Sequence, residues 1–120
     1  MSMIDTLPNA PDTLTEEVAS NIQNRLCEDG FSSYSRAYFI FTDLVLYFCA
    51  NREASMDDAL LYAFTHQKYC STLTFKSMKS LVYDEMKLLN EKKIQEGKEP
   101  VKLKYYLNRV AYDEFFSKTT

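Results

Sequence analysis

One histidine and one cysteine, His66 and Cys70, stand four residues apart, a spacing that places both on one face of a helix. Imidazole and thiolate ligate zinc, and they also form the dyad of cysteine hydrolases. A zinc site takes three or four protein ligands; Cys27 and Cys49 could join this pair only through the fold, and nothing in their spacing predicts that they do. A dyad also needs an oxyanion hole, which the sequence does not indicate. We therefore expect no metal, no cofactor and no catalytic residues.

Adjacent carboxylates occur at Glu16-Glu17 and at Asp57-Asp58. Neighbouring side chains diverge on a helix, and both pairs fall where a first helical turn is expected, so compensation of the helix dipole explains them. Phosphate-binding loops, nucleophile elbows and HExxH motifs are absent from this sequence, which has two glycines. The sequence thus predicts a protein that is not an enzyme.

Basic and aromatic residues alternate along two stretches of the C-terminal half. At helical spacing each set forms one outward stripe, and tyrosine is enriched at protein interfaces because it combines contact area with a hydrogen-bonding tip. We predict that these stripes contact a partner. The predicted residues are Lys76, Lys79, Tyr83 and Lys87 on the fourth helix, and Lys102, Tyr105, Arg109 and Tyr112 on the fifth.

Two functions are compatible with such stripes. The first is a small protein-interaction module, an inhibitor, adaptor or regulator of a larger machine such as those of phages and plasmids, whose partner is another protein or a second copy of the chain. The second is a nucleic-acid-binding regulator resembling a helix-turn-helix, with the fourth helix on DNA. The turn between the third and fourth helices, Lys68 to Leu73, is longer than is usual for that motif, which favours the first function.

Charge is divided unevenly along the 120 residues. Three basic and ten acidic residues precede Lys68, a net charge of −7, whereas eleven basic and seven acidic residues from Lys68 onward give +4. The sequence pI of about 5.1 is far below that of a dedicated nucleic-acid binder. Three cysteines without CxxC spacing, and an N-terminus without a basic start or apolar core, predict a cytoplasmic protein.

The most apolar stretch, Ala37 to Ala50, decides the architecture. Its fourteen residues include Asp43, whereas a membrane span needs about 20 apolar residues. We predict no membrane contact and interpret the stretch as the buried centre of helix two, about residues 33–50, capped by Ser32 or Ser33 with Tyr34 on its inner side.

The spacing of apolar residues and the capping residues predict four further helices around helix two. Residues 1–12 are expected to form a flexible arm, and 13–120 a single all-α domain of about five helices. Helix one begins at a capping box, Thr13 to Glu16, and ends at Gly30; helix three is capped by Ser55. Helix four runs from about Thr74 to Gln95. Residues 101–106 alternate like a strand, but the wider spacing to Phe115 favours a fifth helix.

Overall fold

The computed structural model describes residues 16–66 and 73–116. Within these ranges the chain forms five α-helices and no strand, which confirms the predicted all-α bundle. The expected arm, residues 1–12, the Thr13 capping box and the turn 67–72 lie outside the described residues. The helices are α1 (Glu16–Glu28), α2 (Arg36–Ala50), α3 (Met56–His66), α4 (Phe75–Gln95) and α5 (Leu103–Ala111), and α5 continues into a π-helical turn, Tyr112–Phe116.

Helix α2 is the central element, as predicted. It packs against all four other helices and the π-helical turn, and ten of its fifteen residues are buried. The hydroxyl of the buried Thr42 donates to the carbonyl of Tyr38 at 2.7 Å, so burial leaves it satisfied. A helix that is apolar on nearly every side is stable here because other helices cover it.

The start of α2 differs from the prediction. The N-cap is Ser35, whose hydroxyl accepts the Tyr38 N–H at 3.1 Å, and neither Ser32 nor Ser33 caps the helix. Tyr34 therefore precedes the helix and is 95% exposed, whereas we expected it on the inner side. Ser32 instead shapes the preceding loop, because its hydroxyl accepts the Tyr34 N–H at 3.3 Å and its carbonyl accepts the Ser35 hydroxyl at 2.8 Å.

The predicted starts of helices three and four and the predicted end of helix one agree with the structure. Ser55 and Thr74 accept backbone N–H groups from the first turns of α3 and α4, each at 3.1 Å. Gly30, with φ +113°, follows α1, and the bonds from Gly30 to Cys27 and from Phe31 to Leu26 form a Schellman ending. Residues 103–106 are helical, so the strand alternative is excluded for them.

A polar cluster joins α1 to α5 and the π-helical turn. The Arg25 guanidinium lies 3.1 Å from Asp29 and 2.9 Å from Asp113, and the Tyr106 hydroxyl donates to Asp29 at 2.5 Å. Burial is the main cause that raises the pKa of Tyr106, and its hydrogen bond to Asp29 adds to the effect. These contacts hold the first and last described elements together.

No described helix is both long enough and apolar enough to cross a membrane.

Candidate functional site

Helix α4 presents two different faces. Its inner face packs on α2 and α3 through Met78, Val82, Met86 and Leu89, as the spacing predicted. A second stripe runs alongside, with Tyr83, Lys87, Asn90 and Ile94 recurring at intervals of three and four. From residue 83 to residue 94 this stripe is about 16 Å long, which is three helical turns.

The chain reverses immediately after α4. Gly97, with φ +77°, occupies the position after the C-cap, and a bond of 2.8 Å from the Lys98 N–H to the Lys93 carbonyl completes a Schellman ending. Gly97 was the predicted end of this helix. The reversal returns residues 100–104 along the stripe of α4.

The side chain of Asn90 fixes the returning segment. Its amide nitrogen donates to the Val101 carbonyl at 2.9 Å, and its amide oxygen accepts the Val101 N–H at 2.9 Å. One side chain thus satisfies both backbone polar groups of a residue eleven positions later, outside any helix. The segment before α5 becomes a second wall, facing α4.

Between the two walls lies a groove with a volume of about 830 Å³, here called the α4 groove. Its base is apolar, since Met86 and Leu103 are buried there beside the partly exposed Val101 and Met56. Side chains with aliphatic or aromatic surface can be desolvated in such a groove. The lining residues are Met56, Tyr83, Met86, Lys87, Asn90, Glu91, Ile94, Pro100, Val101, Lys102, Leu103 and Lys104.

The rim of the α4 groove is predominantly cationic. Lys87, Lys102 and Lys104 line it together with one acid, Glu91. Within residues 16–66 and 73–116, none of the three lysines takes part in an ion pair. Their charge is therefore available to a ligand, although the whole chain carries a net charge of −3.

The structure brings three of the eight predicted partner-binding residues into this groove: Tyr83, Lys87 and Lys102. Tyr83 is 44% exposed. The preceding lysines of the same stripe, Lys76 and Lys79, are exposed but do not line it, and Lys79 lies 3.9 Å from Asp57. The role of these residues in binding stays a prediction.

The other three predicted residues lie on the outer side of α5 and its continuation. Tyr105 is 61% exposed and projects from the helix. Arg109 lies 3.6 Å from Asp113 and 5.9 Å from the Tyr112 ring centroid, so its charge is partly compensated within the chain. None of these three residues lines the α4 groove.

Several groove residues escaped the sequence prediction. Ile94 is 58% exposed at the end of the stripe, and its recurrence with Tyr83 and Lys87 was the available signal. Nothing in the sequence indicated the bond between Asn90 and Val101, because it depends on how the chain returns. Leu88, 57% exposed, lies about 130° around α4 from the stripe and lines a separate cavity of about 200 Å³.

The candidate metal or dyad pair cannot be compared with the structure, because one of its two residues is not described. His66 stacks on Tyr62 with 4.1 Å between ring centroids, and its Nδ1 lies 2.9 Å from the Tyr62 carbonyl; Cys70 lies outside the described residues. No group of three potential metal ligands occurs within 16–66 and 73–116. Burial raises the pKa of the Cys49 thiol to about 12, which keeps that thiol protonated at neutral pH.

Comparison with known proteins returned no matching family model, no matching curated protein and no matching solved structure.

Proposed function

We propose that this chain is a non-catalytic protein-interaction module, an inhibitor, adaptor or regulator of a larger assembly, and that the α4 groove is where it contacts its partner. The observation that carries the proposal is the groove itself, an apolar base between two walls with three lysines at the rim that form no ion pair with another described residue. Apolar anchors surrounded by a polar rim are the usual composition of a protein interface.

The apolar base favours a protein partner over a nucleic acid. Binding of a nucleic acid uses cations on phosphates and exposed aromatic faces on bases; the groove has lysines but only one aromatic side chain, Tyr83, in its lining. Its exposed apolar surface comes mainly from the aliphatic side chains of Val101 and Ile94. The lysine stripe of α4 continues through Lys76 and Lys79, so binding to nucleic acid is the competing hypothesis that the experiment must separate.

Two matched variants test the site. Ile94 and Leu88 are nearly equally exposed on α4, but Ile94 lines the α4 groove and Leu88 does not. We expect the full-length protein and its Leu88→Asp variant, purified with a tag from the native source, to retain the same protein, and Ile94→Asp to lose it. Mass spectrometry identifies the retained molecule, and circular dichroism verifies that both variants fold.

The salt dependence of binding distinguishes a protein partner from a nucleic acid. An apolar protein interface tolerates added salt, whereas phosphate contacts weaken steeply. Retention of an oligonucleotide that salt releases, or equal loss of the protein partner from Ile94→Asp and Leu88→Asp, would contradict the proposed function.

A further inference from the structure

The α4 groove has the dimensions and charge to receive a particular kind of segment. Resting on the proposed function, we propose that its occupant is an acidic amphipathic helix of another protein, about three turns long, with apolar side chains on the groove base and carboxylates at the lysine rim.

The shape of the groove supports a helix. Its longer wall is one straight stripe of α4, and a second helix packed along that stripe presents apolar residues at i, i+3 or i+4, and i+7. An added β-strand would need free backbone groups along the opposite wall. At Val101 both backbone groups are already bonded to the side chain of Asn90, so this wall offers side chains instead.

The charge of the rim supports an acidic partner. Lys87, Lys102 and Lys104 outnumber Glu91, and no ion pair with another described residue neutralises them. A basic helix would meet uncompensated like charges, whereas carboxylates flanking the apolar anchors would be attracted and oriented. Because the chain as a whole is negative, this attraction is confined to the groove.

A second copy of the chain is a poorer occupant. Its two described α-helices of net negative charge, α1 and α3, both bury their apolar faces: Ile22 and Leu26 of α1, and Leu60 and Ala63 of α3, are 0% exposed. Docking either helix by these residues into the groove of another copy would remove them from their own core. The observations therefore favour a segment from a different protein.

The test is selection of peptides of about 16 residues, a length that covers three turns with flanks, from a random display library against the immobilised full-length protein. We expect the enriched peptides to be acidic, to carry apolar residues at helical spacing and to become helical on binding, as circular dichroism measures. Their affinities are then measured by fluorescence anisotropy on groove variants and on control variants.

Two substitutions separate the apolar and electrostatic contributions. Ile94→Gln removes apolar surface without adding charge, and Lys87→Glu with Lys102→Glu reverses the rim; each is expected to weaken binding roughly tenfold or more. The matched controls are Leu88→Gln, and Arg36→Glu with Lys92→Glu, which changes net charge equally away from the groove. We expect the controls to stay within about twofold of the unmodified protein.

The proposal is overturned if selection yields no binders, if the enriched peptides are basic or extended, or if the groove variants bind these peptides as tightly as the unmodified protein does. Self-association in light scattering that blocks peptide binding and disappears in Ile94→Gln would place a second copy in the groove and equally refute it. A native protein lost from Ile94→Asp whose contacting segment is not an acidic helix would refute this inference and leave the proposed function intact.

Discussion

Asn90 holds the second wall of the α4 groove in place through its two hydrogen bonds to Val101. We expect Asn90→Ala to lower the free energy of unfolding by about 1–3 kcal/mol, because it leaves both backbone groups of Val101 without their partner. Chemical denaturation monitored by circular dichroism measures this effect. We also expect this variant to bind a groove ligand more weakly than its loss of stability alone would explain, because Asn90 no longer holds the second wall in place.

Asn108→Ala is the control for this change. Asn108 also donates from its amide to a backbone carbonyl, that of Lys104, but the bond is exposed and stays within α5. We expect a loss of less than about 0.5 kcal/mol and no change in binding. Equal effects of the two substitutions would show that the Asn90 bonds do not shape the groove.

Tyr106 gives the fold a dependence on alkaline pH. Burial and the bond to Asp29 raise its folded-state pKa above the unfolded value of about 10. The neutral hydroxyl therefore stabilises the fold fully below pH 10, and this contribution is lost as pH rises further, because the unfolded state releases the proton first. We expect Tyr106→Phe to cost about 1 kcal/mol at pH 8 and progressively less above pH 10, as urea denaturation at several pH values measures.

Tyr105→Phe is the control for Tyr106→Phe, because it removes a neighbouring tyrosine hydroxyl that is exposed. Tyr105 is 61% exposed, so loss of its hydroxyl should leave stability at pH 8 unchanged within about 0.5 kcal/mol. A difference between the unmodified protein and Tyr106→Phe that stays constant from pH 8 to pH 11 would exclude Tyr106 as the titrating group.

At the residue scale, spacing predicted which side chains share a surface but not which surface closes into a groove. Tyr83 and Lys87 follow from helical periodicity alone. Lys102 lines the α4 groove with them and Arg109 does not. This difference depends on the chain reversal at Gly97 and on the hydrogen bonds between Asn90 and Val101. Such pairings between distant residues are decided by tertiary structure and carry no local signal.

At the element scale, Gly97 sets the angle at which the chain leaves α4. Its φ of +77° is costly for residues with a Cβ atom, although a Cβ there would meet no other atom within 4 Å. We expect Gly97→Ala to lower the free energy of unfolding by roughly 1–2 kcal/mol through backbone strain alone. Gly97→Asn should cost less, because asparagine tolerates this conformation. Thermal unfolding of the two variants measures the order, and equal costs would contradict the strain argument.

Helix ends were predictable from the sequence where a single residue caps or terminates the helix. Thr74 and Ser55 cap their helices through their own hydroxyls, and Gly30 and Gly97 supply the left-handed conformation. The start of α2 was not predictable, because three serines, at 32, 33 and 35, each have the right chemistry. Their competition is settled by hydrogen bonds between the loop and the first turn.

At the scale of the whole molecule, composition predicted the fold class, since a chain with two glycines and one long apolar segment favours helices around a buried centre. Ion pairs between the described residues compensate little of the uneven charge. Of the ion pairs among the described residues, Lys79 and Asp57 join the basic half to the acidic half at 3.9 Å, and Arg25 and Asp113 pair the minority charges of each half. The lysines of the α4 groove take part in none of these ion pairs.

Hydrogen exchange across the whole chain tests both the packing and the proposed docking. We expect amides of α2 to exchange most slowly, because its residues are buried on nearly every side, and the second half of α4 to exchange faster, since Leu88 and Ile94 are exposed there. Addition of an acidic helical peptide should slow exchange along residues 83–94 and 100–104 while α1 stays unchanged. Peptide-induced protection of α1 instead, or protection spread evenly over the chain, would contradict docking in the α4 groove, because burial by a helix lying between two walls protects those walls first.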